Sequence, residues 1–347
     1  MTAVEFGRRQ CVLRLGRMST RASWRAISVV LSLLAAAGVI GIIAIGFGKF
    51  TVGPADVLGV LTGSNTSFDR VVVLEWRMPR MLMALLIGAA LGVAGAIFQA
   101  LTRNPLGSPD IIGINAGAYT GALVVIAAIG GSYYTVAAGA LVGGLATAVL
   151  VYALSYRNGL AGYRLIVIGI AVSAVLNSVN QWIVIKLDHH TAVTASVWQQ
   201  GTLNGLTWMQ VLPMTIGLGL AAVALCALGP QLPVLQMGDD AAGALGVRPD
   251  RARLAYLVVG VGLVALACAA AGPISFVALA APQLARRLTA GPGVGLVPSA
   301  AMGAVLLLLS DVIAQQVFRN SELPVGAVTV SLGGLYLIHL LVAQARR

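Results

Sequence analysis

The sequence has few charged residues and only two lysines. Asp, Glu, Lys and Arg make up 10% of the 347 residues, whereas soluble domains carry roughly 25%. Hydrophobic residues make up 59%, and the mean hydropathy is +0.92. A soluble fold could not bury that much apolar surface, and charge is depleted from residue 27 almost to the C-terminus. The composition predicts one all-helical membrane domain over residues 27–347, preceded by a basic tail over residues 1–26.

The residues of redox, metal and nucleophilic chemistry are also scarce. The three cysteines lie singly, without CxxC spacing, and the three histidines form no cluster. The sequence contains no HExxH motif and no paired carboxylates or nucleophile with a base at a predicted membrane boundary. We therefore expect no metal site and no cofactor in this chain, and we disfavour a membrane-embedded enzyme.

The sequence lacks a phosphate-binding P-loop. That motif requires Gly-x-x-x-x-Gly-Lys-Ser/Thr, but Lys49 is followed by Phe50 and Lys186 by Leu187. The chain is therefore not expected to hydrolyse ATP. If it performs energised work, the energy comes from another subunit or from an ion gradient.

The sequence does contain ten apolar runs of about the length of a membrane-spanning helix. A span needs about 20 apolar residues, because only helices and closed barrels satisfy the backbone in lipid. The first run is longer than a signal-peptide core and no clear cleavage site follows it, so we expect a retained span. In the eighth, Pro282 lies inside the run and Pro273 just before it, which predicts a short or broken helix. The predicted spans are 27–47, 81–101, 113–131, 134–155, 165–186, 209–229, 254–271, 274–290, 297–316 and 325–343.

The basic residues lie mainly on one side of this topology. Of the 22, sixteen lie on the side of the N-terminal tail. Because cytoplasmic loops carry an excess of Lys and Arg, both termini are predicted to be cytoplasmic. Topology thus explains the formal net charge of +11, and we expect no nucleic-acid partner. The six basic residues on the outer side are Lys49, Arg70, Arg77, Arg80, Lys186 and Arg319.

Glycine is abundant, with 42 residues. Small-xxx-small spacings allow the backbones of membrane helices to approach closely. We therefore predict close helix contacts at three such pairs. They are Gly88/Gly92, Gly113/Gly117 and Gly139/Gly143.

Polar residues inside the predicted spans are costly and mark candidate functional positions. Amides there either form interhelical hydrogen bonds or line a pathway. Asp311 is the one carboxylate deep in a span, and it is either a proton relay of a secondary transporter or a structural residue. Asn177, Asn180 and Gln181 share one face of the fifth span. The remaining polar positions are Gln99, Ser173 and Gln283.

The stretch from Arg77 to Ala118 contains a long and specific motif. It reads RMPR at 77–80, GAALGVAGAIFQALTRNPL at 88–106 and PDIIGINAGA at 109–118. This stretch strongly resembles the FecCD-type permeases, the family that imports iron-siderophores, haem and cobalamin. Further matches follow in the family's order at 169–174, 198–203, 237–247, 271–287 and 322–326. The motif residues include Asn104, Pro105, Pro109, Asp110, Gly113 and Gly117.

The resemblance implies a role for the outer arginines and for the longest inner loop. A binding protein would dock through acidic side chains onto Arg77, Arg80 and Arg319, because Arg pairs with carboxylates bidentately. On the residues alone, headgroup anchoring is the alternative. The inner loop at about 232–253 would form coupling helices that seat in an ATPase subunit, where a solvated connection is the alternative. Its implied coupling residues are Gly238, Asp239, Asp240, Gly246 and Arg248.

The resemblance also implies the assembly and its cargo. It indicates a type II ABC importer permease in the cytoplasmic (inner) membrane. Two identical or related permeases would enclose a path, with ATPase subunits carrying ATP and Mg²⁺ below and an extracytoplasmic binding protein above. The cargo would be an iron(III)-siderophore, of catecholate type because Gln283 stands where many members have His. Haem, cobalamin and a proton-coupled secondary transporter are the alternatives. Residues implied to line the path are Gln99, Ser173, Asn177 and Asn180, and a structural role is favoured for Asp311.

Overall fold

The structure, a computed structural model, describes most of the chain. The described residues are 10–15, 18–46, 52–64, 68–129, 132–156, 162–229, 231–291, 293–317 and 323–345. A short antiparallel hairpin of β1 (Gln10–Leu15) and β2 (Met18–Ser23) lies within the predicted basic tail, with Gln10 opposite Ser23 and Leu15 opposite Met18. All remaining regular structure in the described residues is helical.

The helices follow one another through the rest of the chain. In the first half they are α1 (Trp24–Gly46), α2 (Pro54–Leu61), α3 (Phe68–Val71), a π-helical turn (Val72–Arg77), α4 (Met78–Thr102), α5 (Ile114–Ile129), α6 (Tyr133–Ser155) and α7 (Gly162–Lys186). In the second half they are α8 (His189–Gln199), α9 (Trp208–Leu228), α10 (Gln231–Gln236), α11 (Asp239–Ala244), α12 (Pro249–Ala271), α13 (Val277–Thr289), α14 (Leu296–Val317) and α15 (Val325–Ala345).

Each of the ten predicted spans coincides with one of these helices. Among the described residues, seven helical stretches are long and apolar enough to cross a membrane, and the 35-residue stretch Phe68–Thr102 is one of them. The other three apolar elements are α5, with 16 residues, α13, with 13 residues, and an apolar stretch of α15, Val325–Tyr336. The short α13, with Pro282 inside it, confirms the prediction for the eighth span. The count of ten spans stays a prediction.

Helix α4 forms the centre of the fold. It packs against α12, α13 and α14, and its second half, from Ala90 to Ala100, is buried without interruption. A Cβ on Gly88 would overlap backbone atoms of Gly303, and one on Gly92 would overlap the carbonyl of Ser299. Glycine therefore lets the backbones of α4 and α14 touch. The prediction of a close contact at Gly88/Gly92 is confirmed.

Helices α5 and α6 pack in the same way. A Cβ on Gly117 would overlap the side chain of Thr147, and one on Gly139 or Gly143 would overlap α5 backbone at Gly121 or Gly117. The close contacts predicted for Gly117 and for Gly139/Gly143 are thus confirmed. The helices α7 and α9, by contrast, are only 11% buried over their most apolar windows. Most of their exposed side chains are apolar, as on surfaces in contact with lipid or with another membrane subunit, and α7 also exposes Asn177 and Gln181.

Candidate functional site

The family motif forms an irregular segment that runs back into the helix bundle, residues 103–113, called here the re-entrant segment. It begins where α4 ends, at Arg103, which has φ 51°. Gly162 of α7 packs against Thr102, whereas Gly169 packs against Ile112. Seven residues of α-helix rise about 10 Å, so the segment climbs by about that distance along α7. Non-helical backbone is tolerated at membrane depth where protein buries it, and residues 107–109, 112 and 113 are buried.

The turns of the re-entrant segment follow from its residue types. The Asn104 side chain accepts a hydrogen bond from the Leu106 backbone N–H at 2.9 Å, which is an Asx-type turn around Pro105. Gly113 has φ 88°, and a Cβ there would meet the hydroxyl of Ser173 on α7. Glycine is therefore required at 113 both for the backbone conformation and for the contact with α7.

Asp110 joins the re-entrant segment to the start of α13. Its carboxylate accepts hydrogen bonds from the Asn115 amide at 2.7 Å and from the Phe276 backbone N–H at 3.2 Å. Phe276 has φ 71° and immediately precedes α13, so Asp110 satisfies a donor at the N-terminus of that helix. Asn115 in turn accepts a hydrogen bond from the Cys268 thiol on α12 at 3.1 Å.

Two glutamines join α13 to α4 and to the re-entrant segment at a second point. The Gln283 amide donates to the Pro105 carbonyl at 3.1 Å and to the Gln99 side-chain oxygen at 2.6 Å. Gln99 is buried and donates to the Leu279 carbonyl at 3.0 Å. Pro282 has no N–H for the Ala278 carbonyl, and that carbonyl lies against Gly95, where a Cβ would overlap it.

The predicted coupling loop contains two short helices, α10 and α11, and we call residues 232–253 the coupling segment. Asp239 begins α11 and accepts hydrogen bonds from Arg103 at 2.8 Å and from Arg253 at 3.0 Å, with a second, shorter bond from Arg253. Arg103 also donates to the Leu235 carbonyl at 2.9 Å. One carboxylate thus ties the coupling segment to the end of α4 and to α12.

The electrostatics of Asp239 follow from these partners. Partial burial raises the pKa of the Asp239 carboxyl, but the hydrogen bond and charge of Arg253, and then those of Arg103, outweigh it, so the pKa lies below its usual value. Because the Asp239 side chain is 50% exposed, water screens the two pairs and each stabilises the fold only modestly.

Several other residues of the coupling segment are exposed, whereas Leu232, Leu235 and Ala242 are buried against the helix bundle. Gly238 has φ 116°, which a non-glycine residue would adopt only with strain, and it sets the start of α11. The side chains of Met237 and Leu245 are 68% and 63% exposed. Apolar groups this exposed beside charged ones are typical of a surface that binds another protein. The other predicted coupling residues on this surface are Asp240, Gly246 and Arg248, all exposed.

At the other end of α4, Arg80 pairs with Asp311. The Arg80 Nε lies 3.1 and 3.0 Å from the two Asp311 oxygens, and its Nη2 lies 2.7 Å from one of them. Gln315 donates to the same carboxylate at 2.7 Å. Asp311 is 1% exposed and Arg80 21%. Arg77 donates to the Ile45 carbonyl at the end of α1.

The structure divides the predicted polar face of α7. Asn180 is buried and donates to the Ala116 carbonyl of α5 at 3.3 Å, whereas Asn177 and Gln181 are exposed. Within the described part of the chain, the Asn180 side-chain oxygen has no hydrogen-bond partner. Ser173 donates to the Gly169 carbonyl at 2.7 Å, within its own helix. The third predicted docking residue, Arg319, lies outside the described residues.

An open cleft of about 200 Å³ separates the coupling segment from α13. Pockets that enclose a drug-sized ligand measure roughly 300–1,000 Å³, so this cleft is too small to enclose a ligand of that size. Its polar lining residues are Gln99, Arg103, Asn104, Gln236, Gln283 and Arg286.

The sequence located the motif but did not indicate several residues that form hydrogen bonds with its side chains or with Asp239. Arg103 lies in the quoted motif, yet its pairing with Asp239 spans 136 residues. Arg253, Asn115 and Phe276 were likewise not selected, because neither a backbone N–H nor one arginine among several inner ones carries a distinguishing signal in a single sequence. The one signal in the sequence for the Asp239 pairs is opposite charge, since Arg103, Asp239 and Arg253 all lie in segments predicted on the same side of the membrane.

Comparison with known proteins identifies one family over most of the chain. The model of the FecCD transport family matches residues 33–343. The ferric enterobactin transport system permease protein FepG of Escherichia coli (strain K12) is 48% identical over 325 residues, which covers 94% of this chain and 98% of FepG. The iron(3+)-hydroxamate import system permease protein FhuG of Bacillus subtilis (strain 168) is 35% identical and covers 87% of this chain and 93% of FhuG.

Two further similarities bear on cargo and fold. The achromobactin transport system permease protein CbrC of Dickeya dadantii (strain 3937) is 35% identical, with 96% of each chain covered. A solved metal-chelate type ABC transporter in an inward-facing conformation matches with a TM-score of 0.80 and 26% identity, over 92% of this chain and 99% of that one.

Proposed function

Because this chain belongs to the FecCD transport family, we propose that it is the membrane-spanning permease subunit of an ATP-driven importer of iron(III)-siderophore complexes. The observation that carries the proposal is the 48% identity to a ferric enterobactin permease along nearly the whole of both chains. The other relatives are named for iron-hydroxamate and achromobactin transport. The cargo proposed for this chain is a catecholate-type complex, in agreement with the enterobactin relative.

The proposed assembly places this permease beside a second one, identical or related, in the cytoplasmic membrane. Ten spans with both termini in the cytoplasm put the coupling segment inside, where ATPase subunits bind ATP and Mg²⁺. The anchoring of Asp239 to α4 and α12 supports this arrangement, because movement of the coupling segment would then act directly on two buried helices. The exposed Asn177 and Gln181 on α7 would face the path between the two permeases.

The outer arginines are proposed to receive a loaded binding protein. Asp311 occupies the Nε and Nη2 groups of Arg80, so within the described residues Nη1 is the nitrogen left for an acidic side chain of the partner. Fixing an arginine before binding lowers the entropic cost of docking. Arg77 and Arg319 complete the proposed docking surface.

Transport by the reconstituted complex tests this function. The chain is placed in liposomes with its ATPase and binding protein, and uptake of iron-loaded enterobactin is measured beside an iron-hydroxamate, haem and cobalamin. We expect ATP-dependent, vanadate-sensitive uptake of the catecholate complex, and none when the P-loop lysine of the ATPase is replaced by alanine. Uptake that resists vanadate but stops when the proton gradient collapses would contradict the proposal. Preference for haem or cobalamin would contradict the cargo.

A further inference from the structure

We propose that the re-entrant segment carries movement of the coupling segment to α13 and α7, with Arg103, Asp110 and Gln283 as the positioning residues of that connection. The inference rests on the proposed function, since it assumes an ATPase that moves the coupling segment. It assigns a mechanical role to the motif at 103–113.

The first link is at the inner end of the segment. Arg103 is the first residue after α4 and binds the coupling segment twice, through the Asp239 carboxylate and the Leu235 carbonyl. A charge-assisted pair backed by a second hydrogen bond restrains both the position and the direction of the guanidinium. Displacement of the coupling segment therefore displaces the start of the re-entrant segment.

The second link is with α13, which the segment holds at two points. The Pro105 carbonyl accepts a hydrogen bond from Gln283, and the Asp110 carboxylate accepts one from the Phe276 N–H. On the α13 side, the attached residues Phe276 and Gln283 are seven residues apart, which is about 10 Å along a helix. Two attachments at that separation prevent α13 from tilting independently of the segment.

The connections of α13 to the rest of the chain are suited to such a movement. The helix has 13 residues and lies between two non-helical stretches. Phe276 before it and Ala290 after it have φ 71° and φ 47°, and both are non-glycine residues in the left-handed region. Hinges in proteins are a few residues at element ends that absorb changes in φ and ψ. Helix α13 can thus shift as a short rigid rod between two such ends.

The third link delivers the movement to two other helices. Gly113 at the end of the segment packs against Ser173 of α7, the helix that carries Asn177. The Phe276 ring packs against Gly333 of α15, where a Cβ would overlap it. The re-entrant segment is therefore hydrogen-bonded to the coupling segment through Arg103 and to α13 through Pro105 and Asp110, and it packs against α7 at Gly113.

The test separates coupling from assembly in the reconstituted complex. Gln283→Met keeps the side-chain volume but removes the donor to Pro105 and Gln99. We expect normal ATPase co-purification and ATP hydrolysis, with siderophore transported per ATP lowered about threefold to tenfold, the range typical of residues on a coupling route. Gln283→His retains a ring N–H donor and should recover most of the ratio. Gln316→Met, the same change on α14 where the glutamine has no hydrogen bond within the described residues, is the control.

A double-mutant cycle decides whether the links act in series. Asp239→Asn weakens the first link and Gln283→Met removes one of the two attachments in the second, so if both links act on one route the two losses should not be additive in free energy in the double variant. An unchanged transport ratio in Gln283→Met, or losses that multiply in the double variant, would overturn the inference. Failure of the proposed function is distinguishable, because the wild-type complex itself would then show no ATP-dependent uptake.

Discussion

A carboxylate buried among membrane helices is costly unless it is paired, and Asp311 is paired with Arg80. The sequence indicated the two residues separately, one as a candidate docking arginine and the other as a structural residue or proton relay. The structure joins them by three hydrogen-bond contacts, with Gln315 as a further donor to Asp311. A carboxylate held by a guanidinium and an amide has its acceptors occupied, which supports the structural interpretation of Asp311.

Removing one partner of this pair tests the interpretation. We expect Asp311→Ala to lower the free energy of unfolding by about 3–5 kcal/mol, because it leaves a largely buried guanidinium without its counter-charge. The double variant Arg80→Met/Asp311→Ala should be more stable than Asp311→Ala alone. Thermal denaturation in detergent measures both.

The transport activity of a milder variant separates structure from proton relay. Asp311→Asn keeps the size of the side chain and one acceptor. It should therefore retain ATP-driven uptake when assayed at a temperature at which the variant is folded. Loss of uptake in a fully folded Asp311→Asn protein would favour the relay.

Residue identity alone could locate these polar positions but could not pair them. Asp110 lies in a motif that is visible in the sequence, whereas its partner is the backbone N–H of Phe276, 166 residues away. Any residue other than proline offers such an N–H, so the side chain at 276 gives no sign of the contact. Gln99 was selected as a polar residue in a span, and only the helix packing shows that its amide bridges α4 and α13.

At the scale of elements, helix spacing depends on a few glycines. Gly88 and Gly92 of α4 and Gly303 of α14 let two backbones touch over about one turn of helix. No hydrophobic effect drives helices together inside lipid, so van der Waals contact at this spacing is a main source of stability. The sequence predicted the contact at Gly88/Gly92, because small residues at i and i+4 lie on one face of a helix, but it did not indicate Gly303 as the partner.

Adding one methyl group at Gly92 should be far more harmful than adding it at an open glycine. In Gly92→Ala the new Cβ overlaps the Ser299 carbonyl, so α4 and α14 must separate. Overpacking of this kind costs about 1–3 kcal/mol. Gly219→Ala on α9 is the matched control, because nothing lies within 4 Å of its Cβ position. Equal melting temperatures for the two variants would show that the backbone contact does not stabilise the fold.

The long helices could be predicted from the sequence, but several short elements could not. Each apolar run of about 20 residues became a helix, since lipid leaves the backbone no alternative. The search for apolar runs does not detect α8, α10 and α11, which are short and partly polar, or the π-helical turn before α4. It also placed the third span at 113–131, close to the observed α5, without showing that residues 103–113 bring the chain back into the bundle.

On the scale of the whole molecule, α4 connects two surfaces that the proposed function uses. Arg80, near its start, is one of the proposed docking arginines and pairs with Asp311. Arg103, just after its end, pairs with Asp239 of the coupling segment. The two arginines are 23 residues apart, which is roughly 35 Å of helix at 1.5 Å per residue. That length matches a bilayer of about 30 Å with its interfaces. The two charged groups therefore lie on opposite sides of the membrane if α4 spans it.

Beyond the seven long apolar stretches and α15, with 21 residues, the ten-span topology depends on whether the two short helices α5 and α13 cross the membrane. With 16 and 13 residues they fall below the length of a complete span. Each is preceded by irregular chain, α5 by residues 103–113 and α13 by residues 272–276. Residues 107–109, 112, 113 and 272–274 of that chain are buried in protein, where non-helical backbone is tolerated. The combined lengths are sufficient to cross.

Single cysteines in a variant without Cys11, Cys226 and Cys268 test this crossing. The exposed positions Leu106 and Tyr134 lie on either side of α5, Leu245 lies before α12, and Leu288 lies in the last turn of α13. Ten spans predict that a membrane-impermeant maleimide labels Tyr134→Cys from outside intact cells. Leu106→Cys, Leu245→Cys and Leu288→Cys should react only in inside-out vesicles. Labelling of Leu288→Cys from outside would show that α13 does not cross, and labelling of Leu106→Cys and Tyr134→Cys from one side would show the same for α5.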